Sequence, residues 1–94
     1  MEKTIGSRDL RKSAKMVNIG FENWIMSGRV VAIVNANSAP IKRMINQARE
    51  ENTLIDASGG KQTRSVIFTD SKHVILSSIS ARNLSARMEK DVLN

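Results

Sequence analysis

Between residues 16 and 21 the chain alternates Val17, Ile19 and Phe21 with Asn18 and Gly20, the two-residue period of a half-buried strand. Residues 22–28 read as a connection that carries Trp24 and ends on the turn pair Ser27-Gly28. Residues 30–34 are apolar at every position, which predicts a strand dry on both faces. After a loop at 35–38, Ser38 and Pro40 form a helix start: a side-chain cap, then a proline in the first turn, where its missing N–H costs nothing. Ile41, Met44, Ile45 and Ala48 recur at i, i+3, i+4 and i+7 and put one apolar stripe on a helix running to about Glu51. Residues 54–57 predict a short strand and residues 58–61 a hairpin turn. A longer strand follows at 63–69 around Val66, Ile67 and Phe68, and another at 73–79 around Val74, Ile75 and Leu76. Ser80 caps a final helix with Ala81, Leu84, Met88 and Val92 on one side.

The order β-β-α-β-β-β-α predicts an α+β fold, with one small mixed or antiparallel sheet of about five strands and two short helices. Two such helices cover one face of the sheet, so a second copy of the chain is expected on the other and the protein is expected to be a homo-oligomer. A length of 94 residues holds one domain. Within residues 1–15, five cations (Lys3, Arg8, Arg11, Lys12 and Lys15) against Glu2 and Asp9 leave +3, with little apolar content. That segment reads as a flexible basic arm ahead of a folded domain at 16–94. The longest apolar run, 30–34, is far short of the roughly 20 residues that cross a bilayer. No signal-peptide pattern follows the N-terminal charges, so a cytoplasmic location without membrane insertion is expected.

Charge narrows the partner class. A formal +6 and a pI near 10.3 favour a polyanion. The absence of cysteine excludes disulfides, zinc ribbons and thiol nucleophiles. His73 is the one histidine, no carboxylate pair has a catalytic spacing, and no ligand set for a metal is visible. The expectation is therefore a protein that is not an enzyme, with no metal, cofactor or small-molecule substrate. Phe21 and Phe68 fall at core positions of strands, and Trp24 suits a subunit contact better than base stacking. The candidates for phosphate contact sit at glycine turns: Arg29 after Ser27-Gly28, then Lys61 and Arg64 beside Gly59-Gly60 with Gln62 between them.

The runs Asn18-Ile19-Gly20-Phe21, Ser38-Ala39-Pro40-Ile41-Lys42-Arg43-Met44-Ile45, Ala48-Arg49, Leu54-Ile55-Asp56-Ala57, Thr63-Arg64 and Asp70-Ser71-Lys72-His73-Val74-Ile75-Leu76-Ser77 resemble the RemA family of bacterial extracellular matrix regulatory proteins. The resemblance implies a DNA-binding transcriptional regulator of biofilm matrix genes that assembles into a ring of about eight subunits. It further implies that Arg29 matches a family arginine tied to DNA binding and that Pro40 matches a proline needed for function, assigned here to structure or assembly. Where Bacillus-type members carry two consecutive arginines after the glycine turn, this chain has Lys61 and Gln62, which keeps a point charge at the first place and none at the second.

The sequence thus points to double-stranded DNA as partner, bound through the backbone by Arg29, Lys61, Gln62 and Arg64 in a nucleoid-associated homo-oligomer. Selectivity is expected from DNA shape rather than base contacts. The alternative is an oligomeric scaffold, nucleoid-architectural or anionic-surface-binding protein without promoter specificity.

Overall fold

A computed structural model describes residues 15–93. The elements are β1 (Met16–Asn18), β2 (Trp24–Met26), a 3-10 turn (Ser27–Arg29), β3 (Val30–Asn35), α1 (Ala39–Glu50), β4 (Leu54–Asp56), β5 (Ser65–Thr69), β6 (Val74–Ser77) and α2 (Ala81–Leu93). The fold is α+β, as the pattern predicts, but its six strands divide into two sheets. β1 and β2 form an antiparallel hairpin, and the other four form a mixed sheet in the order β3-β5-β6-β4. The basic arm read at 1–15 lies, apart from Lys15, outside the described residues.

The hairpin was hidden in the sequence because its turn has no Asn-Gly or Asp-Gly signal. Phe21 and Glu22 both take left-handed backbone angles, at φ 53° and 61°, between Gly20 and Asn23. The Asn23 N–H donates to the Gly20 carbonyl at 2.9 Å, which closes a type I′ turn. Left-handed angles cost a side-chain-bearing residue about 1–2 kcal/mol. Asn18 and Asn23 offset part of that strain, the first accepting from the Gly20 N–H at 2.7 Å and the second donating to the Gly20 carbonyl at 2.9 Å. The reversal leaves Phe21 54% exposed at the tip instead of in the core, and turns residues 24–26, read as connection, into a strand.

Residues 58–61 do not close a hairpin. β4 pairs in parallel with β6, and β5 pairs antiparallel with β6 and β3. The stretch between β4 and β5 therefore crosses the end of β6, and the Arg64 N–H donates to the Ser77 carbonyl there at 2.9 Å. β3, expected to be dry on both faces, is an edge strand with an irregular register between Val30 and Ala32, and Val31 is 69% exposed. The buried central strands are β5 and β6.

Alternation along those strands divides the core. Val66, Val74 and Leu76, with Phe68 partly buried beside them, pack against Ile41, Ile45 and Ala48 of α1. Ile67 and Ile75, with Ile33, pack against Val17, Ile19 and Ile25 of the hairpin segment and against Leu84 and Met88 of α2. Most of the second face is covered within one chain too, because the unforeseen hairpin joins α2 on the side expected to be bare, but the part on β4 stays open, with Ile55 46% exposed beside Ile75. What is left open is thus an apolar corner around Ile55 and not a whole face. Full burial of Ile67 and of Leu84 stabilises the fold by roughly 1.5–3 kcal/mol each.

Two buried hydroxyls complete the frame. Ser65 and Ser77 face each other across β5 and β6 with no exposed surface. Ser65 Oγ donates to the Ile79 carbonyl at 2.7 Å, and Ser77 Oγ donates to the Ile19 carbonyl at 2.8 Å. Ser77→Ala should leave the Ile19 carbonyl without this donor and cost about 1–3 kcal/mol, read from urea unfolding. Gly59 has φ +64°, and a Cβ there would lie 2.5 Å from the Phe21 ring. Gly59→Ala is expected to cost roughly 1–2 kcal/mol, seen as a lower urea midpoint; an unchanged midpoint would show that the turn relaxes freely.

Candidate functional site

Strands β3, β4 and β6 finish at one end of the sheet and β5 begins there, as the pairings Asn35 with Ser65 and Ser65 with Ser77 require. Four connections meet at that end: the hairpin tip, the lead into α1, the crossing 57–64 and the lead into α2. They are joined by the Ala36 N–H to the Arg64 carbonyl at 3.2 Å, and by the two serine hydroxyls.

The crossing is shaped from its first residue. Asp56 accepts from the Ser58 hydroxyl at 2.6 Å and from the Ser58 N–H at 2.9 Å. These bonds, the hydroxyl first, hold its carboxyl below the usual range; burial opposes them and Arg49 adds a favourable charge. Gly59 and Gly60 then take φ +64° and +79°, and the Phe21 ring lies over Gly59. The Lys61 N–H closes the turn on the Ser58 carbonyl at 3.1 Å. Lys61, Gln62 and Arg64 follow, all exposed.

Two adjoining concavities lie beside them. One is lined by Asn35, Asn37, Gln62, Arg64, Ser80 and Arg82, the other by Lys61, Arg64, Ser80, Asn83 and Arg87 among others. Lys61, Arg64 and Arg82 make no side-chain hydrogen bond or ion pair among the described residues. Arg87 differs: its guanidinium donates to the Asn18 carbonyl at 2.7 Å and ties α2 to the hairpin. Of the acidic groups, Glu22 is exposed on the hairpin tip and Asp56 ends β4 at this same end, while Glu50 and Glu51 stand at the far end of α1 and Asp70 between β5 and β6. Such a surface suits the oxygens of a phosphate backbone.

The structure brings together three of the four sequence candidates and separates the fourth. Arg29 precedes β3 and Arg64 precedes β5, and antiparallel pairing puts them at opposite ends of the strand pair, roughly 20 Å apart at 3.3 Å per residue. Arg29 Nε instead donates to Asp70 Oδ1 at 2.7 Å, in a half-exposed pair of the kind worth at most about 1 kcal/mol. Pro40 stands in the first turn of α1, where the Ser38 hydroxyl accepts from the Ile41 N–H at 3.3 Å, as its position in the sequence predicts. His73 is part of the β5–β6 turn, with Nδ1 2.7 Å from the Ser71 hydroxyl. Among the described residues, no three of His, Asp and Glu converge to hold a metal ion, and no helix is long and apolar enough to cross a membrane.

Sequence reasoning missed Arg82 and Asn83, which stand on the outward side of a helix whose apolar stripe was legible. Their only signal was their place two and three residues after the Ser80 cap. It singled out Trp24 as a subunit contact but missed the groove around it, bordered by Met16, Trp24, Met26 and Ile55 with Arg29 and His73 at its rim. Those four apolar side chains are all exposed, Trp24 by 56%.

Because the Asp56 pKa is lowered in the folded state, its ionised form adds stability above the unfolded value of about 3.9, and that contribution is lost as pH falls through the folded pKa. Asp56→Asn should therefore unfold at lower urea than the parent at pH 7, with the gap closing as the pH is lowered from about 4 through the folded pKa. A gap of constant size across that range would remove the carboxylate charge from the stability of the turn.

Residues 16–88 match the family model RemA-like, described as extracellular matrix regulatory protein A-like. Several relatives are named as putative regulatory proteins. The one from Synechococcus sp. is 56% identical over 73 residues, covering 78% of this chain and 82% of its own length. That of Clostridium novyi is 51% identical over 83 residues, covering 87% and 92%. That of Nitratidesulfovibrio vulgaris is 48% identical over 79 residues, covering 84% and 90%. With a family model spanning all six strands and relatives of nearly equal length at about half identity, the chain belongs to the RemA-like family of regulatory proteins.

Proposed function

We propose that the protein is a transcriptional regulator that binds double-stranded DNA as a homo-oligomer and controls extracellular matrix genes, acting by binding and not by catalysis. The observation that carries the reading is the gathering of Lys61, Gln62, Arg64 and Arg82 at one end of the sheet, with the three cations unpaired among the described residues of a +6 chain. Lys61 and Arg64 bind phosphates, and Gln62 donates a neutral hydrogen bond between them. The site of action is the bacterial nucleoid in the cytoplasm.

Self-association has a narrower basis than a whole bare sheet face, and it includes the Trp24 contact that the sequence suggested. The largely covered sheet faces leave the groove of Met16, Trp24, Met26 and Ile55 as the apolar surface on which copies meet, in a ring of the kind the family resemblance implies. Arg29 rims that groove and joins the DNA track only where neighbouring copies bring it into line. A ring repeats each modest cationic end around its circumference, so avidity raises the affinity of the whole.

A titration of random duplex DNA at two salt concentrations tests the reading. The parent should be retarded at micromolar concentration, and the double variant Lys61→Ala, Arg64→Ala should lower the salt slope by about 0.9 for each phosphate it no longer neutralises. Identical slopes would remove these residues from the site, and binding to anionic vesicles without retardation of DNA would favour the surface-binding scaffold instead. Native mass measurement checks the groove: Trp24→Ser should shift the parent assembly toward the single chain, and an unchanged mass would place the subunit interface elsewhere.

A further inference from the structure

Helix α2 is held by a narrow stripe. Leu84 is fully buried and Ala81 and Met88 are half-buried, whereas Arg82, Asn83, Ser85, Ala86 and Arg87 are exposed. The first turn is rigid, since the Ser80 hydroxyl accepts from the Asn83 N–H at 3.2 Å and the Ser80 carbonyl from the Leu84 N–H at 3.0 Å. On that turn, Arg82 borders the concavity shared with Gln62 and Arg64, and Asn83 borders the one shared with Lys61 and Arg64. Neither side chain has a hydrogen-bond or ion-pair partner among the described residues, in contrast to Arg87. Ser85 and Ala86 follow on the exposed side and are small enough for another molecule to approach closely.

The chemistry of the adjacent pair separates it from the loop cations. A lysine offers a point charge suited to phosphate. An asparagine amide adds no charge for a phosphate, but its donor and acceptor match N6 and N7 of adenine, and an arginine fork matches O6 and N7 of guanine. The major groove of a duplex admits an α-helix, and the first turn of a helix is where inserted side chains meet base edges. We propose that the first turn of α2 reads DNA sequence directly, Asn83 and Arg82 contacting base edges in the major groove while Lys61 and Arg64 hold the flanking phosphates. This rests on the DNA-binding reading above, and it replaces selectivity by shape alone with selectivity by base contact.

Selection of binders from a randomised duplex pool, followed by sequencing, tests it with the full chain. The parent should enrich a defined motif. Asn83→Ala and Arg82→Lys should each lose preference at one base pair, by roughly ten- to a hundredfold in relative affinity, and Asn83→Ala should keep the parent salt slope. Lys61→Ala should keep the motif while binding every sequence more weakly. Circular dichroism melting should match the parent for both helix variants, as expected of exposed positions. A parent that binds DNA but enriches no motif, or helix variants that both retain the parent motif, would overturn the proposal and leave the DNA-binding reading standing. A parent that retains no duplex at low salt would overturn that reading and the proposal with it.

Discussion

The arrangement depends on a pair of hydroxyls sealed inside the molecule. Ser65 and Ser77 sit opposite each other on the two central strands, and each reaches out of the sheet to a carbonyl of a different segment. One holds Ile79, on the way into α2, and the other holds Ile19, at the entrance to the hairpin turn. A buried hydroxyl without a partner is costly, so these two positions tolerate only conformations in which both segments are docked. The hairpin tip, the crossing loop and the start of α2 are thereby kept at one end of the sheet.

Polarity of charge follows from that convergence. The crossing from β4 to β5 runs over the end of β6, which carries Lys61, Gln62 and Arg64 to the start of α2 and its Arg82. Asp56 is the acidic group nearest in sequence to that cluster, and its charge is engaged by Ser58. Glu50, Glu51 and Asp70 belong to the opposite end, where Asp70 neutralises Arg29. The chain thus gathers Lys61, Arg64 and Arg82 at one end, where Glu22 of the hairpin tip is also exposed, and cations held close together favour a phosphate backbone more than the same charges spread evenly.

Membership of the RemA-like family and this geometry support each other at different levels. The family makes the protein a regulatory one. The geometry distributes the work among residues: Pro40 starts α1 beside Ser38, Arg87 ties α2 to the hairpin, and Lys61 and Arg64 are left with no protein partner among the described residues. Arg29 stands apart, beside an apolar groove and paired with Asp70, and so lies outside the cationic end.

Much of this was legible in the amino acids alone. The capped α1, the apolar triplets at Val66 and Val74, and the stripe Ala81, Leu84 and Met88 come from local periodicity and capping, which depend only on near neighbours. So does the placing of Lys61 and Arg64 on an exposed glycine turn. What local pattern does not carry is which strand lies beside which: β4 is separated in sequence from its partner β6 by the whole of β5, and the Phe21-Glu22 reversal has no glycine or asparagine at its centre to announce it. The covered sheet face, the distance between Arg29 and Arg64, and the meeting of Arg82 with Gln62 all follow from those pairings. The sequence by itself determined the elements apart from β2, and the charges they carry. Only the tertiary structure decided which charges stand together, because strand pairing and buried hydrogen bonds between distant segments are chosen by the whole core at once.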